Sequence, residues 1–177
     1  MLLWIYLYID MTSKNASSAD NQQERLRLIG WIVGFVDGEG CFSVSTFKNR
    51  TSKCGYQVMP EFVVTQGQKS LNSLRVIKDF FGCGAIYVNR RYDNHKENIY
   101  RYCVRNFKDI TEKIIPFFEA NELLTYKKKD FQIFCKVIEM IKNRQHLTLE
   151  GIESIKGLKN PQRLYVGSLA TIGEGKI

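Results

Sequence analysis

The sequence predicts an α+β fold whose core has the element order α-β-β-α-β-β-α-α and is followed by a last short helix, with helices covering one face of an antiparallel sheet. Two pairs of segments with alternating apolar and polar residues are each joined by a polar turn, and helical periodicity appears between and after them. No strand–helix–strand crossover pattern is present, so the strands favour a single antiparallel sheet. A length of 177 residues and a hydrophobic content of 44% suit one folded unit with a buried core.

The predicted elements follow from local patterns. A helix is expected at 24–37, where Leu26, Ile29, Val33 and Val36 fall on one stripe before the run DGEG ends it. Alternation predicts four strands, at 41–47, 56–66, 85–92 and 98–105. Helical periodicity predicts four further helices, at 70–81, 107–119, 126–143 and 149–158.

Both ends of the chain are expected to lie outside the folded unit. Residues 1–23 are predicted to be a flexible N-terminal segment, because 11–23 is polar and rich in Ser, Asn and Gln. The folded domain is predicted at 24–158, followed by a tail at 159–177. The apolar opening MLLWIYLYID is too short to cross a bilayer and lacks the features of a secretory signal. No membrane partner is therefore expected.

The charge and the cysteines narrow the choice of partners. A net charge of +8 favours an anionic partner, of which nucleic acid is the most common, ahead of an anionic membrane surface or an acidic protein. The five cysteines form no C-x-x-C pair, and neither His95 nor His146 lies at a zinc-ligand spacing from them. Free thiols are therefore expected, with no zinc site.

Three glycines recur every four residues in the first predicted helix, at Gly30, Gly34 and Gly38. This spacing stacks them on one face, although each costs roughly 1 kcal/mol against alanine inside a helix. Missing side chains make room for another backbone, either that of a partner helix or that of the chain's own sheet. Asp37 and Glu39 lie at the negative end of the helix dipole, where a divalent cation would offset their charge.

The segment LIGWIVGFVDGEG resembles the signature of LAGLIDADG homing endonucleases, with Leu28-Ile29-Gly30 at its start and residues 37–40 at its end. The run FVVTQ at 62–66 and the lysines before Asp130 also resemble that family, so the resemblance covers 24–158. Members with one copy of the motif act as homodimers. The resemblance therefore implies a homodimer whose interface contains Gly30, Gly34 and Asp37, with Asp37 capping the partner helix or bracing the interface.

The resemblance also implies a metal-dependent DNA-cleaving site at the end of the motif helices. Glu39 and the Gly38 carbonyl would hold metal, with two or more Mg²⁺ per dimer and Mn²⁺ as a substitute. Many members carry Asp at the position of Glu39. Gln66 would position water, and Lys127 would stabilise the transition state, with Lys128 as the alternative because the three adjacent lysines cannot all point inward.

The sheet is expected to read the major groove of a double-stranded DNA target with a pseudo-palindromic site. Alternation predicts which side chains face DNA: Ser43, Ser45, Phe47, Gln57, Met59, Glu61, Val63, Tyr87, Asn89, Arg91, Arg101 and Cys103. Arg91 and Arg101 are the best candidates for guanine recognition, because a guanidinium group bonds the O6/N7 edge at two points. Basic side chains of the first hairpin are expected to contact phosphate: Lys48, Arg50 and Lys53.

Three functions are compatible with these patterns. The first is a site-specific homing endonuclease that makes metal-dependent double-strand breaks to start intron mobility. The second is an RNA-binding intron maturase on the same fold, and the third is a DNA-binding repressor. The presence of Glu39 and Gln66 favours cleavage, because an RNA binder does not need a metal-binding acid. The resemblance suggests an organellar or bacterial intron, and hence the chloroplast, the mitochondrion or the bacterial cytoplasm.

Overall fold

The computed structural model describes residues 18–89 and 98–159. Predictions that fall on 1–17, 90–97 and 160–177, among them those for Arg91 and His95, lie outside the described residues. The first half contains α1 (Ser18–Glu39), β1 (Gly40–Lys48), β2 (Tyr56–Gly67), α2 (Leu71–Phe81) and β3 (Ala85–Asn89). The second half contains β4 (Ile99–Val104), α3 (107–120), α4 (Lys127–Lys142) and α5 (Leu149–Lys159). This order confirms the predicted α+β class.

The four described strands form one antiparallel sheet in the order β1-β2-β4-β3. Two hairpins therefore lie side by side, with β2 and β4 in the centre and β1 and β3 at the edges. Helix α3 is continuous but contains a π-helical turn at Ile110–Ile114. Among the described helices, none combines the length and the apolarity that crossing a membrane requires.

The core lies between the helices and one face of the sheet. Phe42 is at its centre, with its ring centroid 5.0–5.6 Å from those of Phe62, Phe118, Phe131 and Phe134. These rings come from β1, β2, α3 and α4, so one strand residue joins four elements. Because successive residues of a strand point to opposite faces, residues one position away from Phe42 lie on the other side of the sheet.

Helix α1 differs from its prediction at both ends. It begins at Ser18, so the prediction that 1–23 precedes the first helix is wrong for 18–23. The side chains of 20–27 are exposed, which explains their polar composition, and Gln and Glu have good helix propensity. Asp20 also lies in the first turn, where a negative charge is favourable. At the other end the helix continues through Gly38 to Glu39.

The buried stripe of α1 is also shifted from the prediction. Ile32 and Val36 are fully buried, whereas Leu26 is 61% exposed. Because every residue from 20 to 27 is exposed, the N-terminal part of α1 extends past the core. Only its second half therefore packs on the sheet, and this half contains the glycines.

The position of Phe42 leads to a prediction about stability. Phe42→Ala is expected to lower the free energy of unfolding by about 3–5 kcal/mol, because it leaves a cavity between four elements. Phe47→Ala is the matched control, since Phe47 lies on the same strand but is 42% exposed; its cost should be below about 1 kcal/mol. Urea unfolding followed by circular dichroism measures both, and equal losses would contradict this description of the core.

Candidate active site and nucleic-acid interface

Helix α1 passes directly into β1 without a loop. Gly40, the first residue of β1, is buried, and a Cβ there would lie 2.5 Å from Val36 Cγ1 and 2.7 Å from the Val36 carbonyl oxygen. Glycine alone fits such a close approach. This contact folds the strand back against the last turn of the helix and fixes the backbone on both sides of Glu39. From the sequence pattern, Gly40 was predicted only as the end of a motif.

Asp37 connects the end of α1 to the segment that precedes α4. Its carboxylate accepts hydrogen bonds from the Leu124 N–H at 2.9 Å, from the Thr125 N–H at 3.1 Å and from the Thr125 hydroxyl at 2.6 Å. Both carboxylate oxygens of Asp37 are therefore engaged within the chain. That Asp37 caps a partner helix or braces a dimer interface stays a prediction.

These donors also determine the protonation of Asp37. Desolvation acts to raise the pKa of Asp37, but the hydrogen bonds from Thr125 and Leu124 and the charge of Lys127 outweigh it. The pKa of Asp37 is consequently held below its ordinary value of 3.8. The charge of Asp37 at the negative end of α1 is therefore compensated by N–H and O–H donors, together with the ammonium charge of Lys127.

The neighbouring lysines point to different places. The Lys127 ammonium group donates a hydrogen bond to the carbonyl oxygen of Gly40, next to Glu39. The Lys128 ammonium group forms an ion pair with Glu122 instead. Of the two lysines that the sequence left open, Lys127 is thus the one at the helix-to-strand junction.

Gln66 lies at the same end of the sheet as Glu39. Gly40 pairs with Val64, so Gln66 is two residues further along β2, level with the end of α1. It pairs with Tyr100 of β4, and its side chain is partly exposed. The three residues predicted as catalytic therefore come from α1, β2 and α4; Lys127 contacts the Gly40 carbonyl, and the backbone of Gln66 lies at the same end of the sheet.

Glu39 and Gly38 are exposed at this junction. Among the residues that the structure describes, no hydrogen bond or ion pair engages the Glu39 carboxylate. Within 18–89 and 98–159, no group of three His, Cys, Asp or Glu side chains is close enough to hold a metal ion by itself. A carboxylate at a helix C-terminus is electrostatically unfavourable. Of the two acids that end α1, only Glu39 lacks compensation from the described part of the chain.

The glycine face of α1 is open. Gly30, Gly34 and Gly38 are exposed, and a Cβ added to any of them would meet nothing within 4 Å in the described structure. Trp31 is 38% exposed on the same helix and packs against Phe35, with ring centroids 5.1 Å apart. The alternative that these glycines make room for the chain's own sheet is therefore excluded.

The sheet face opposite the helices, which we call the open sheet face, has the composition that alternation predicts. Strand register places on it these described side chains: Cys41, Ser43, Ser45, Phe47, Gln57, Met59, Glu61, Val63, Thr65, Ala85, Tyr87, Ile99, Arg101 and Cys103. Asn89 shares this register by its backbone position. The predicted division of the two faces is thus confirmed, while contact with DNA remains a prediction.

Three residues on this face are buried, which corrects their assignment as DNA contacts. Glu61, Val63 and Cys103 are only 6%, 5% and 3% exposed. The physical reason is a cluster of long side chains above them. Arg101 Nη2 donates to Glu61 Oε1 at 2.7 Å, and Arg105 Nε donates to Glu61 Oε2.

Arg105 is not among the predicted DNA contacts, although alternation offered a signal for it. The open-face positions 101 and 103 of β4 continue to 105, one residue beyond the strand. The Arg105 guanidinium carbon lies 5.6 Å from the centroid of the Tyr87 ring, and its side chain is 45% exposed. Its hydrogen bond to Glu61 raises the pKa of Arg105 above the ordinary value.

The hairpin loop between β1 and β2 is tightly organised. The Asn49 side-chain oxygen accepts hydrogen bonds from the Thr51 N–H at 3.0 Å and from the Thr51 hydroxyl at 2.7 Å. The Asn49 amide group donates to Gln57 Oε1 at 2.9 Å, which fixes the orientation of that predicted DNA contact. Around this framework the predicted phosphate contacts are exposed: Lys48, Arg50 and Lys53.

A four-stranded sheet with one open face, preceded by a glycine-faced helix that ends in acidic residues, matches the α+β fold of LAGLIDADG homing endonuclease structures. The chain belongs to the LAGLIDADG endonuclease family, whose model matches residues 32–138. The match begins at Ile32, within the segment 28–40 that carries the sequence resemblance.

Solved structures and a curated relative agree with this membership. The homing endonuclease I-TnaI has a TM-score of 0.67 and 38% identity, over 75% of this chain and 86% of that one. I-SmaMI bound to an uncleaved DNA target in the presence of calcium has a TM-score of 0.68 and 32% identity, over 75% of this chain and 43% of that one. A 50.9 kDa protein in ND4 intron 1 of Podospora anserina is 37% identical over 120 residues, or 67% of this chain. The chain spans 25% of the length of that relative.

The bonds of Asp37 lead to a prediction about pH. Asp37→Asn is expected to cost about 1–3 kcal/mol at neutral pH, because an amide N–H₂ then faces backbone donors. Since the pKa of Asp37 is lowered on folding, its contribution is present above the unfolded pKa, near 4, and is lost as the pH falls through the folded value. Urea midpoints between pH 7 and pH 3 should therefore fall less steeply for Asp37→Asn than for the parent. Asp79→Asn, at an exposed position of α2, is the control; parallel profiles for Asp37→Asn and the parent would contradict the linkage.

Proposed function

We propose that this protein is a homing endonuclease, a metal-dependent enzyme that makes a double-strand break at a specific long DNA site and so starts intron mobility. The observation that carries the proposal is the Glu39 carboxylate, which has no hydrogen-bond or ion-pair partner among the described residues and lies at the end of an open glycine face, next to the Gly40 carbonyl that Lys127 contacts. Membership of the LAGLIDADG endonuclease family supports the activity. Structures of I-SmaMI with uncleaved and with cleaved DNA support DNA as the ligand.

The oxygen atoms at the junction suit a divalent metal ion. The Glu39 carboxylate and the Gly38 carbonyl are hard donors of the kind that Mg²⁺ prefers and that Mn²⁺ also accepts. The described part of one chain offers a single such carboxylate at the junction, so the remaining ligands would come from a second chain and from DNA phosphates, giving two or more Mg²⁺ per dimer. When bound, such ions activate water and stabilise the leaving oxygen in phosphodiester hydrolysis.

Two further side chains of the chain would assist cleavage. The Lys127 ammonium group, held beside Glu39 by the Gly40 carbonyl, would stabilise the negative charge that develops on the scissile phosphate. Gln66, at the same end of the sheet, would hold and orient the attacking water through its side-chain amide. Lys128 is paired with Glu122, so the catalytic role falls to Lys127.

The partner that fits the glycine face is a second copy of this chain. Two α1 helices related by a two-fold axis would pack through Gly30 and Gly34, because the lack of side chains allows close backbone approach. Such pairing brings the two Glu39 residues together and joins the two open sheet faces into one surface. This surface fits a pseudo-palindromic duplex, with the sheets in the major groove. The proposed location of the protein is an organelle whose genome contains introns.

The catalytic assignment predicts a clear difference between two adjacent lysines. Lys127→Met is expected to slow cleavage by roughly 10²- to 10³-fold, because it removes a charge that stabilises the transition state. Lys128→Met is the matched control, with the same chemical change one residue away, and should cleave nearly as fast as the parent. Glu39→Gln should bind DNA but not cut it. Single-turnover cleavage of a library of long duplexes in Mg²⁺, with EDTA as the metal-free arm, measures all three.

Each possible failure of this experiment removes a separate part of the proposal. Cutting by Glu39→Gln would exclude Glu39 from the catalytic role. Equal rates for the two lysine variants would exclude Lys127. Binding of folded intron RNA by a parent protein that cuts no duplex in Mg²⁺ or Mn²⁺ would contradict the endonuclease and favour a maturase.

The proposed dimer predicts the effect of filling the glycine face. Gly34→Leu should convert a dimer into a monomer and abolish DNA binding, while leaving the fold intact, because nothing in the described chain lies within 4 Å of the added Cβ. Light scattering gives the mass, circular dichroism the fold and gel shift the binding. Asn72→Leu, which adds the same side chain at an exposed position of α2, is the control. A monomeric parent, or a dimeric Gly34→Leu protein, would overturn the proposed pairing.

A further inference from the structure

A buried carboxylate holds two arginines on the open sheet face. Glu61 lies near the middle of β2, and its side chain is only 8% exposed although no helix covers this face. Arg101 and Arg105 bond its two different oxygen atoms, and their own side chains are 39% and 45% exposed. The carboxylate thus lies beneath two guanidinium groups that remain accessible from above.

Strand register explains how the three side chains meet. Arg101 is opposite Thr65, two pairs away from the level of Glu61, so it must cross the intervening pair of Val63 and Cys103 to reach the carboxylate. Arg105 lies one residue beyond β4, and by the pairing of Phe62 with Val104 it is level with Glu61. The small side chain of Cys103, flanked by Ala85 on β3, leaves room for this crossing.

Glu61 leaves part of each guanidinium group unused. Arg105 donates through Nε, and its two terminal N–H₂ groups make no hydrogen bond within the described residues. The centroid of the Tyr87 ring lies 5.6 Å from the guanidinium carbon of Arg105, and the ring restricts the tilt of the guanidinium plane. Arg101 donates through one terminal nitrogen, which leaves Nε and the other terminal nitrogen without a described partner.

We propose that Glu61 is a positioning residue that holds Arg101 and Arg105 as a rigid pair of guanine readers on the DNA-facing sheet; this inference rests on the proposed function. An arginine that must be ordered on binding loses rotamer entropy, whereas an arginine already fixed by a carboxylate does not. The fork of donors on Arg105 matches the O6 and N7 acceptors of guanine in the major groove. Glu61 also offsets one of the two positive charges of the arginines. This weakens the attraction to DNA phosphates, which does not depend on the base sequence.

A general ion pair would behave differently from this arrangement. Exposed pairs between flexible side chains contribute little and fix nothing, as between Lys108 and Glu112, which are 4.0 Å apart and 78% and 60% exposed. Glu61 is instead desolvated and bonded at both oxygen atoms, so each guanidinium group has a defined direction. Glu61 is therefore expected to affect discrimination between DNA sequences and to have little effect on affinity for DNA of arbitrary sequence.

The test is selection of binding sites from a randomised duplex library by the full chain in Ca²⁺, the ion present in the structure of I-SmaMI with uncleaved DNA. The parent is expected to select guanines at the base pairs beneath the two arginines. Glu61→Gln should lose roughly 10- to 100-fold of discrimination at those base pairs, while selection elsewhere is retained. Glu112→Gln changes the net charge equally at an exposed helical site and should select as the parent does. Glu61→Asp, which keeps the charge, should retain most of the discrimination.

The outcomes separate this inference from the function on which it rests. A Glu61→Gln protein that selects the parental site with parental discrimination, or that weakens binding uniformly, overturns the positioning role but leaves the DNA-binding function standing. Should Glu61→Gln fail to fold by circular dichroism, the double variant Arg101→Lys/Arg105→Lys decides, because it keeps both charges and removes both forks. Unchanged selection by that variant also overturns the inference. A parent that enriches no sequence and cuts none overturns the proposed function itself.

Discussion

The contact between the C-terminal end of α1 and the N-terminal end of α4 determines the geometry of the candidate site. Asp37 strengthens the contact by accepting hydrogen bonds from Leu124 and Thr125, and Lys127 adds a bond to the Gly40 carbonyl. Because this contact occupies Asp37 completely, the two acids at the end of α1 are not equivalent. The chain compensates the first and leaves the second exposed.

Helix α1 packs one side against the core and presents another side on the outer surface. Ile32 and Val36 are fully buried against the sheet, while Gly30, Gly34 and Gly38 form an open face. The strand that follows divides its two faces in the same way, with Phe42 in the core and its neighbours on the open sheet face. Gly40 joins these two elements at a distance that no other residue allows. Core packing thus positions the surface residues, because no flexible loop separates the two.

Sequence periodicity predicted the fold class, the division of the strand faces and the open glycine face, since each depends on a local repeat. It failed where the deciding partner is distant or where no repeat exists. Residues 20–27 are exposed on all sides, so their helix has no apolar stripe to reveal it. The residues that donate hydrogen bonds to Asp37, which are Leu124 and Thr125, lie 87 and 88 positions away along the chain. Glu61 fits an alternating pattern as an exposed charge, and only the arginines of β4 show why it is buried.

Three acidic residues around the site illustrate why residue type alone does not reveal a role. Asp37 and Glu61 are each bonded at both carboxylate oxygens, one by backbone and hydroxyl donors and the other by two guanidinium groups. A carboxylate so engaged has few lone pairs left for a metal ion, and displacing its donors would leave them unsatisfied. Glu39 has no such partners among the described residues. The fold therefore engages Asp37 and Glu61 in place and leaves Glu39 available for the metal ion that we propose for this site.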